Sequence, residues 1–125
     1  MNEPTRTLVR ERAGDRCEYC QLHQTDSPLA ALHVEHIVPK KHGGGDDLDN
    51  LALACLDCNL HKGPNLVGID PETNEVTGLF HPRRHRWSDH FAWDGIYIIG
   101  RTPMGRATVR VLDMNSDDQL ALRSS

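Results

Sequence analysis

The sequence predicts a small α+β protein, with a metal-stapled core, an N-terminal helix and a C-terminal β-rich extension. Three observations carry this expectation. The four cysteines come as two C-x2-C pairs, Cys17–Cys20 and Cys55–Cys58. Short apolar, β-branched runs alternate with turns rich in Gly, Pro and Asp. The chain has 125 residues and only 38% hydrophobic content, which suits one domain (1–125) with a small core that a staple would help.

Pro4 suits a helix start and Gly14 a helix end, which predicts a helix over about 4–13 with Leu8, Val9 and Ala13 on its apolar side. The first cysteine pair follows at once, then a loop through the Asp26-Ser27-Pro28 turn. Residues 31–38 are rich in apolar and β-branched types and stop at Pro39, which predicts a strand. His42–Asp49 is a glycine- and aspartate-rich loop. Leu51–Ala54 is a short apolar run leading to the second pair, and Leu56–Lys62 is a short helix stopped by Gly63-Pro64. Beyond it, Val76–Phe80, the stretch DGIYIIG (94–100) and the stretch RATVRVLDM (106–114) are strand candidates within an extension over about 66–115, the last two joined by a turn at Thr102–Gly105. The polar tail from Ser116 suits a frayed helix.

Composition narrows the functional classes. There is no long apolar run, so a membrane span is not expected, and the N-terminus lacks the apolar core of a secretion signal. We therefore expect a cytoplasmic protein. In that reducing setting the cysteines suit metal better than disulfides. Each two-residue knuckle can turn both thiolates toward one ion, which points to structural Zn2+ on Cys17, Cys20, Cys55 and Cys58. A redox pair or unlinked thiols would not need a second C-x2-C. The net charge of −4 argues against a nucleic-acid binder on average, but residues 80–111 hold six arginines against two aspartates. Such a local basic field can hold phosphates.

The 34 residues between the cysteine pairs hold LHVEHIVPKKHGGG (32–45), and DNLALACLDCN (49–59) runs from there through the second pair. Asn50 lies 14 residues after His36, and Asn59 lies 9 residues after Asn50. In order, Cys17-x2-Cys20, EHIVP, GGG, DNLALACLDCN and HKG resemble the HNH endonuclease family over about residues 15–63. The resemblance implies a ββα-metal core, in which a hairpin and a helix grip one divalent ion while the tetracysteine zinc splices the parts together. It also implies roles: His36 as general base, Glu35 and Asn59 as ligands of a catalytic ion, and Asn50 as the brace of the loop that orients His36.

The chemistry suits those residue types. A hard cation such as Mg2+ prefers oxygen ligands, which a Glu carboxylate and an Asn amide supply. Histidine titrates near neutral pH, so neutral His36 can take the proton of an attacking water. Two positions depart from the family's common pattern: Glu35 stands where Asp is frequent, and Asn59 where His is frequent. The oxygen-rich set favours Mg2+ or Mn2+ over zinc at the catalytic position. Adjacent strand residues face opposite ways, so Glu35 and His36 can share one phosphate only if it lies between them or if the strand bends, which Pro39 and the glycines would allow.

The neighbouring residues divide less sharply. His33, His42 and His61 read as bystanders, and Lys40 and Lys41 as solvated. Lys62 is a candidate phosphate contact, as are Arg83, Arg84 and Arg86 of HPRRHRW, with Trp87 beside them for stacking or for the core. The resemblance implies DNA as the partner, in duplex form. One such site cuts one strand, so a double-strand break takes a homodimer or two visits by a monomer. Two rival readings compete. A zinc deaminase would use His33-Val34-Glu35 with Cys55-x2-Cys58, but Ala54 stands where its signature has proline and Cys17 and Cys20 would be idle. A non-catalytic zinc-finger module that binds DNA explains the cysteines and leaves the spacing of Glu35, His36, Asn50 and Asn59 to coincidence.

Overall fold

The computed structural model describes residues 1–124. It is a mixed helix-and-strand structure built on small antiparallel sheets. The first helix, α1, spans Glu3–Ala13. The Asn2 side chain accepts the Thr5 amide at 3.0 Å, satisfying one of the donors a helix start leaves free. Gly14 ends the helix in the left-handed region at φ 63°, and the amides of Gly14 and Asp15 reach back to the carbonyls of Glu11 and Arg10. One residue of α1, Val9, is fully buried. Arginines do the rest of the docking: Arg10 donates to Leu32 O at 2.8 Å, and Arg12 to Leu48 O and Leu51 O at 3.0 and 2.6 Å.

Strands β1 (His33–His36) and β2 (Leu51–Ala54) pair antiparallel, with His33 opposite Ala54 and His36 opposite Leu51. Helix α2 (Leu56–Lys62) follows and lies against β1. This is the ββα order the sequence implies. β1 is shorter than the predicted 31–38, because the chain leaves the ladder after His36 to enter the loop. That loop closes with one-turn helices at Lys40–His42 and Leu48–Asn50. Gly44 is obligatory here, since a Cβ would collide with the Val38 carbonyl.

The second half of the chain forms two further hairpins, β3 (Val67–Ile69) with β4 (Val76–Gly78), and β5 (Phe91–Asp94) with β6 (Tyr97–Gly100). Helices α3 (Trp87–His90), α4 (Pro103–Val111) and α5 (Asp117–Ser124) complete it. The extension is therefore less β-rich than expected. Residues 106–111, most of the expected strand RATVRVLDM, belong to α4 instead. The Thr102 hydroxyl caps the Gly105 amide at 3.0 Å, Pro103 sits in the first turn, and Met104, Ala107, Thr108 and Val111 recur at helical spacing. The alternation of Ala107, Val109 and Val111 mimicked a strand. At Gly105, α4 comes so close to α3 that a Cβ would strike the His90 carbonyl.

The core joins both halves. Tyr19, Leu32, Leu51 and Leu53 are buried with Phe80, Phe91, Ile98 and Met114. Phe80 meets Tyr19 and Phe91 edge-on, at centroid separations of 6.5 and 5.2 Å. Burying each such side chain contributes about 1.5–3 kcal/mol. Among the described residues no helix is long and apolar enough to cross a membrane.

Candidate metal centre and the histidine loop

The two knuckles converge. In the first, the Cys17 amide donates to Leu22 O at 2.8 Å, the Gln21 amide returns to Cys17 O at 2.9 Å, and the Cys20 amide lies 3.5 Å from Cys17 Sγ. In the second, Cys55 caps α2, its sulfur accepting the Cys58 amide at 3.4 Å. All four sulfurs lie within 4.8 Å of one another, and all four cysteines are buried. They could hold one metal ion. Burial pushes the Cys17 thiol well up, while hydrogen bonds from the neighbouring thiols pull the Cys55 thiol down. Four soft sulfur donors with no open position match a structural zinc site. His33 is exposed on β1 and is not in the cluster, so the mixed ligand set of a deaminase does not form.

His36 ends β1 and faces the loop. Its Nε2 lies 2.6 Å from Asp46 Oδ1. That hydrogen bond, with Lys40 Nζ 3.8 Å away, holds the Asp46 carboxyl below the usual carboxylate range. Asn50 ties the loop shut. Its Oδ1 accepts the Val38 amide at 2.8 Å, and its Nδ2 donates to Val38 O at 2.9 Å and Gly45 O at 2.8 Å. The Ile37 amide adds a bond to Asn50 O at 2.8 Å. The structure thus brings His36, Asp46 and Asn50 to one loop. Asp46 had no signal in the sequence beyond being one of several loop aspartates.

Glu35 goes the other way. Strand alternation turns it into the interior, where the Tyr19 hydroxyl donates to Oε1 and Lys62 Nζ lies 3.5 Å from Oε2. Burial pushes its carboxyl up, opposed by Lys62. Lys62, expected at a phosphate, is buried as well, and donates to Ile37 O at 2.8 Å and to His36 O at 3.5 Å. Glu35 and His36 thus have separate partners, Tyr19 and Lys62 for the one and Asp46 for the other. Asn59 is half-buried on α2, one turn before Lys62, and its side chain makes no hydrogen bond among the described residues. A divalent ion on Glu35 and Asn59 therefore does not fit this arrangement, because the Glu35 oxygens are already taken by Tyr19 and Lys62. Among the described residues, the cysteines are the one group of three or more His, Cys, Asp or Glu ligands that converges.

The basic segment flanks the loop. Val38, Asp47, Asp49 and Asn50 form a cleft with His81, Arg83 and Arg84, about 420 Å³ in volume. Within it the arginines differ. Arg83 is engaged by Glu18 and by Leu51 O at 3.4 Å, so it is structural rather than free for phosphate. Arg84 and Arg86 are exposed. Trp87 is half-buried and donates from Nε1 to Tyr19 O at 2.7 Å, which commits it to the core side of the segment.

Residues 17–65 match the family model described as HNH endonuclease. That segment encloses both cysteine pairs, β1, the His36 loop, β2 and α2. No curated protein and no solved structure matches the chain.

Proposed function

We propose that this chain, whose residues 17–65 match the HNH endonuclease family model, hydrolyses phosphodiester bonds in DNA. The observation that carries the reading is the histidine loop. His36 sits half-exposed at the end of β1, bonded through Nε2 to Asp46, on a loop that Asn50 closes with three side-chain hydrogen bonds. In this reading neutral His36 accepts the proton of an attacking water. Asp46 fixes the imidazole ring, and Asn50 fixes the backbone that carries it. Arg84, on the cleft beside the loop, and exposed Arg86 hold the DNA backbone by charge. The four cysteines bind structural zinc, which ties the first knuckle to the start of α2. The family resemblance brings Mg2+ or Mn2+ with it as the catalytic ion. Glu35 would be free to serve such an ion only after Tyr19 and Lys62 release it.

The test uses purified, zinc-loaded protein with supercoiled plasmid and added Mg2+ or Mn2+. Relaxed or linear plasmid from wild type, and at least about a 100-fold loss of rate in His36→Ala, is the expected result. Zinc-loaded, folded wild type that binds DNA but cleaves no form of it would sink the nuclease reading in favour of a non-catalytic zinc-finger module. Full cleavage by His36→Ala would remove His36 as the base.

A further inference from the structure

Helix α5 reaches back over the cysteine cluster. Gln119 is fully buried there, and its amide Nε2 lies 3.4 Å from Cys55 Sγ and 3.9 Å from both Cys20 Sγ and Cys58 Sγ. Its carbonyl Oε1 is also buried and accepts no hydrogen bond among the described residues. A primary amide offers two donors and one acceptor. Thiols carry S–H donors that would seek the carbonyl oxygen, whereas thiolates can only accept. Gln119 turns its donors toward three sulfurs and leaves its acceptor bare, at the cost of an unsatisfied buried oxygen. That arrangement matches a cluster of acceptors, which is the state a bound cation imposes on four buried thiols.

Resting on the reading of the cysteines as a metal site, we propose that Gln119 is a functional part of it. It donates N–H···S bonds to the metal-bound thiolates and offsets their excess negative charge. Such outer donors tune affinity as well as orientation. The consequence is coupling: metal loading and the docking of α5 become one equilibrium, although Gln119 lies 61 residues beyond Cys58. Arg123 also attaches α5, at a point away from the cysteines. Arg123 donates to Ile96 O at 2.9 Å and to Asn115 Oδ1 at 3.1 Å, and its guanidinium lies 5.6 Å from the Trp93 ring centroid. Those contacts should still hold α5 when Gln119 is changed.

The experiment compares the wild type with Gln119→Leu, which keeps the bulk and removes the donors, and Gln119→Glu, which sets a carboxylate against the sulfurs. Zinc affinity is read by competition with a chromogenic chelator, and sulfur donation by the thiolate-to-metal charge-transfer band after Co2+ substitution. Gln119→Leu should bind zinc about 10- to 100-fold more weakly, Gln119→Glu more weakly still, and both should shift the cobalt band. In the wild type, amide exchange over 117–124 should accelerate when zinc is withdrawn, a measurement that needs no variant to fold. Zinc affinity and a cobalt spectrum unchanged in Gln119→Leu, or exchange in α5 indifferent to zinc, would overturn the proposal. Wild type that binds neither Zn2+ nor Co2+ would instead overturn the reading of the cysteines on which it rests.

Discussion

Lys62 of α2 sets its ammonium 3.5 Å from the Glu35 carboxylate of β1, and neither side chain is more than 6% exposed. The same ammonium holds the carbonyls of His36 and Ile37. This buried pair fastens α2 to the strand end that carries His36. Removing one partner leaves the other charge buried and alone, which typically costs about 3–5 kcal/mol. Lys62→Met should therefore lower stability by about that much in urea titration, and Lys62→Met/Glu35→Gln should recover part of it. A double variant no more stable than the single would show that the two groups are not coupled.

Asp46 is the carboxylate that faces His36, through the 2.6 Å contact to Nε2. It lies on an exposed loop, so removing it should spare the fold. Asp46→Ala is expected to slow plasmid cleavage by about 10-fold, less than the loss of the base itself, with zinc content and Tm unchanged. A rate equal to wild type would remove Asp46 from the reaction.

The arginines of HPRRHRW should separate by assay. Arg83 is committed to Glu18 and the Leu51 carbonyl, and both side chains are largely buried. Arg83→Ala should lower stability by about 1–3 kcal/mol. Arg84→Ala and Arg86→Ala should leave stability alone. Each should weaken DNA binding and reduce the slope of log affinity against log salt by about one. Binding whose salt slope survives both changes would move the DNA interface elsewhere.

Asp70 sets a pH dependence. It has no solvent-exposed surface and accepts two hydrogen bonds from Arg106, each 2.9 Å, with further bonds from the Glu72 amide and the Thr73 hydroxyl. Arg106 above all holds its carboxyl well below the usual range. A depressed folded pKa stabilises fully above the unfolded value, about 3.9, and that stability is lost as pH falls toward the folded pKa. Asp70→Asn should thus melt below wild type by a constant margin from about pH 5 to 8. The margin should shrink below about pH 4. A margin independent of pH down to acid unfolding would remove Asp70 as its source.

Metal removal should be global rather than local. The cluster joins residues from the first knuckle to the start of α2, and Gln119 brings α5 to it. Chelation should lower Tm by more than 10 °C, on the order of several kcal/mol of lost binding free energy, and re-adding Zn2+ should restore it. An unchanged melt after verified metal loss would show that the cysteines do not staple the fold.

Much of the N-terminal half was legible in the order of residues. The two C-x2-C pairs announced a shared ion because knuckle geometry is local. Pro4 and Gly14 bounded α1, and Pro39, the glycines and Gly63 marked where β1, the loop and α2 stop. Past residue 65 local signals competed. Ala107, Val109 and Val111 alternate as a strand does, while Met104, Ala107 and Val111 recur as a helix does. The Thr102 cap and the packing of α4 on β6 decided for the helix. β3 and β5 escaped notice because each is short and gains its ladder only from a partner strand. Gln119 escaped because nothing local ties a glutamine in a polar tail to sulfurs far behind it.

By itself the sequence determined the inventory and its spacing: four thiols for one ion, a histidine before a glycine loop, an asparagine to follow it. Those depend on residue chemistry and on local backbone geometry. Only the tertiary structure decided which groups meet. The pleat of β1 sent Glu35 inward to Tyr19 and Lys62 and left His36 to Asp46, and the fold spent Arg83 on Glu18 while leaving Arg84 and Arg86 to solvent. A side chain's partner depends on which face is buried and on what another segment brings to it, and both are settled only when the core closes.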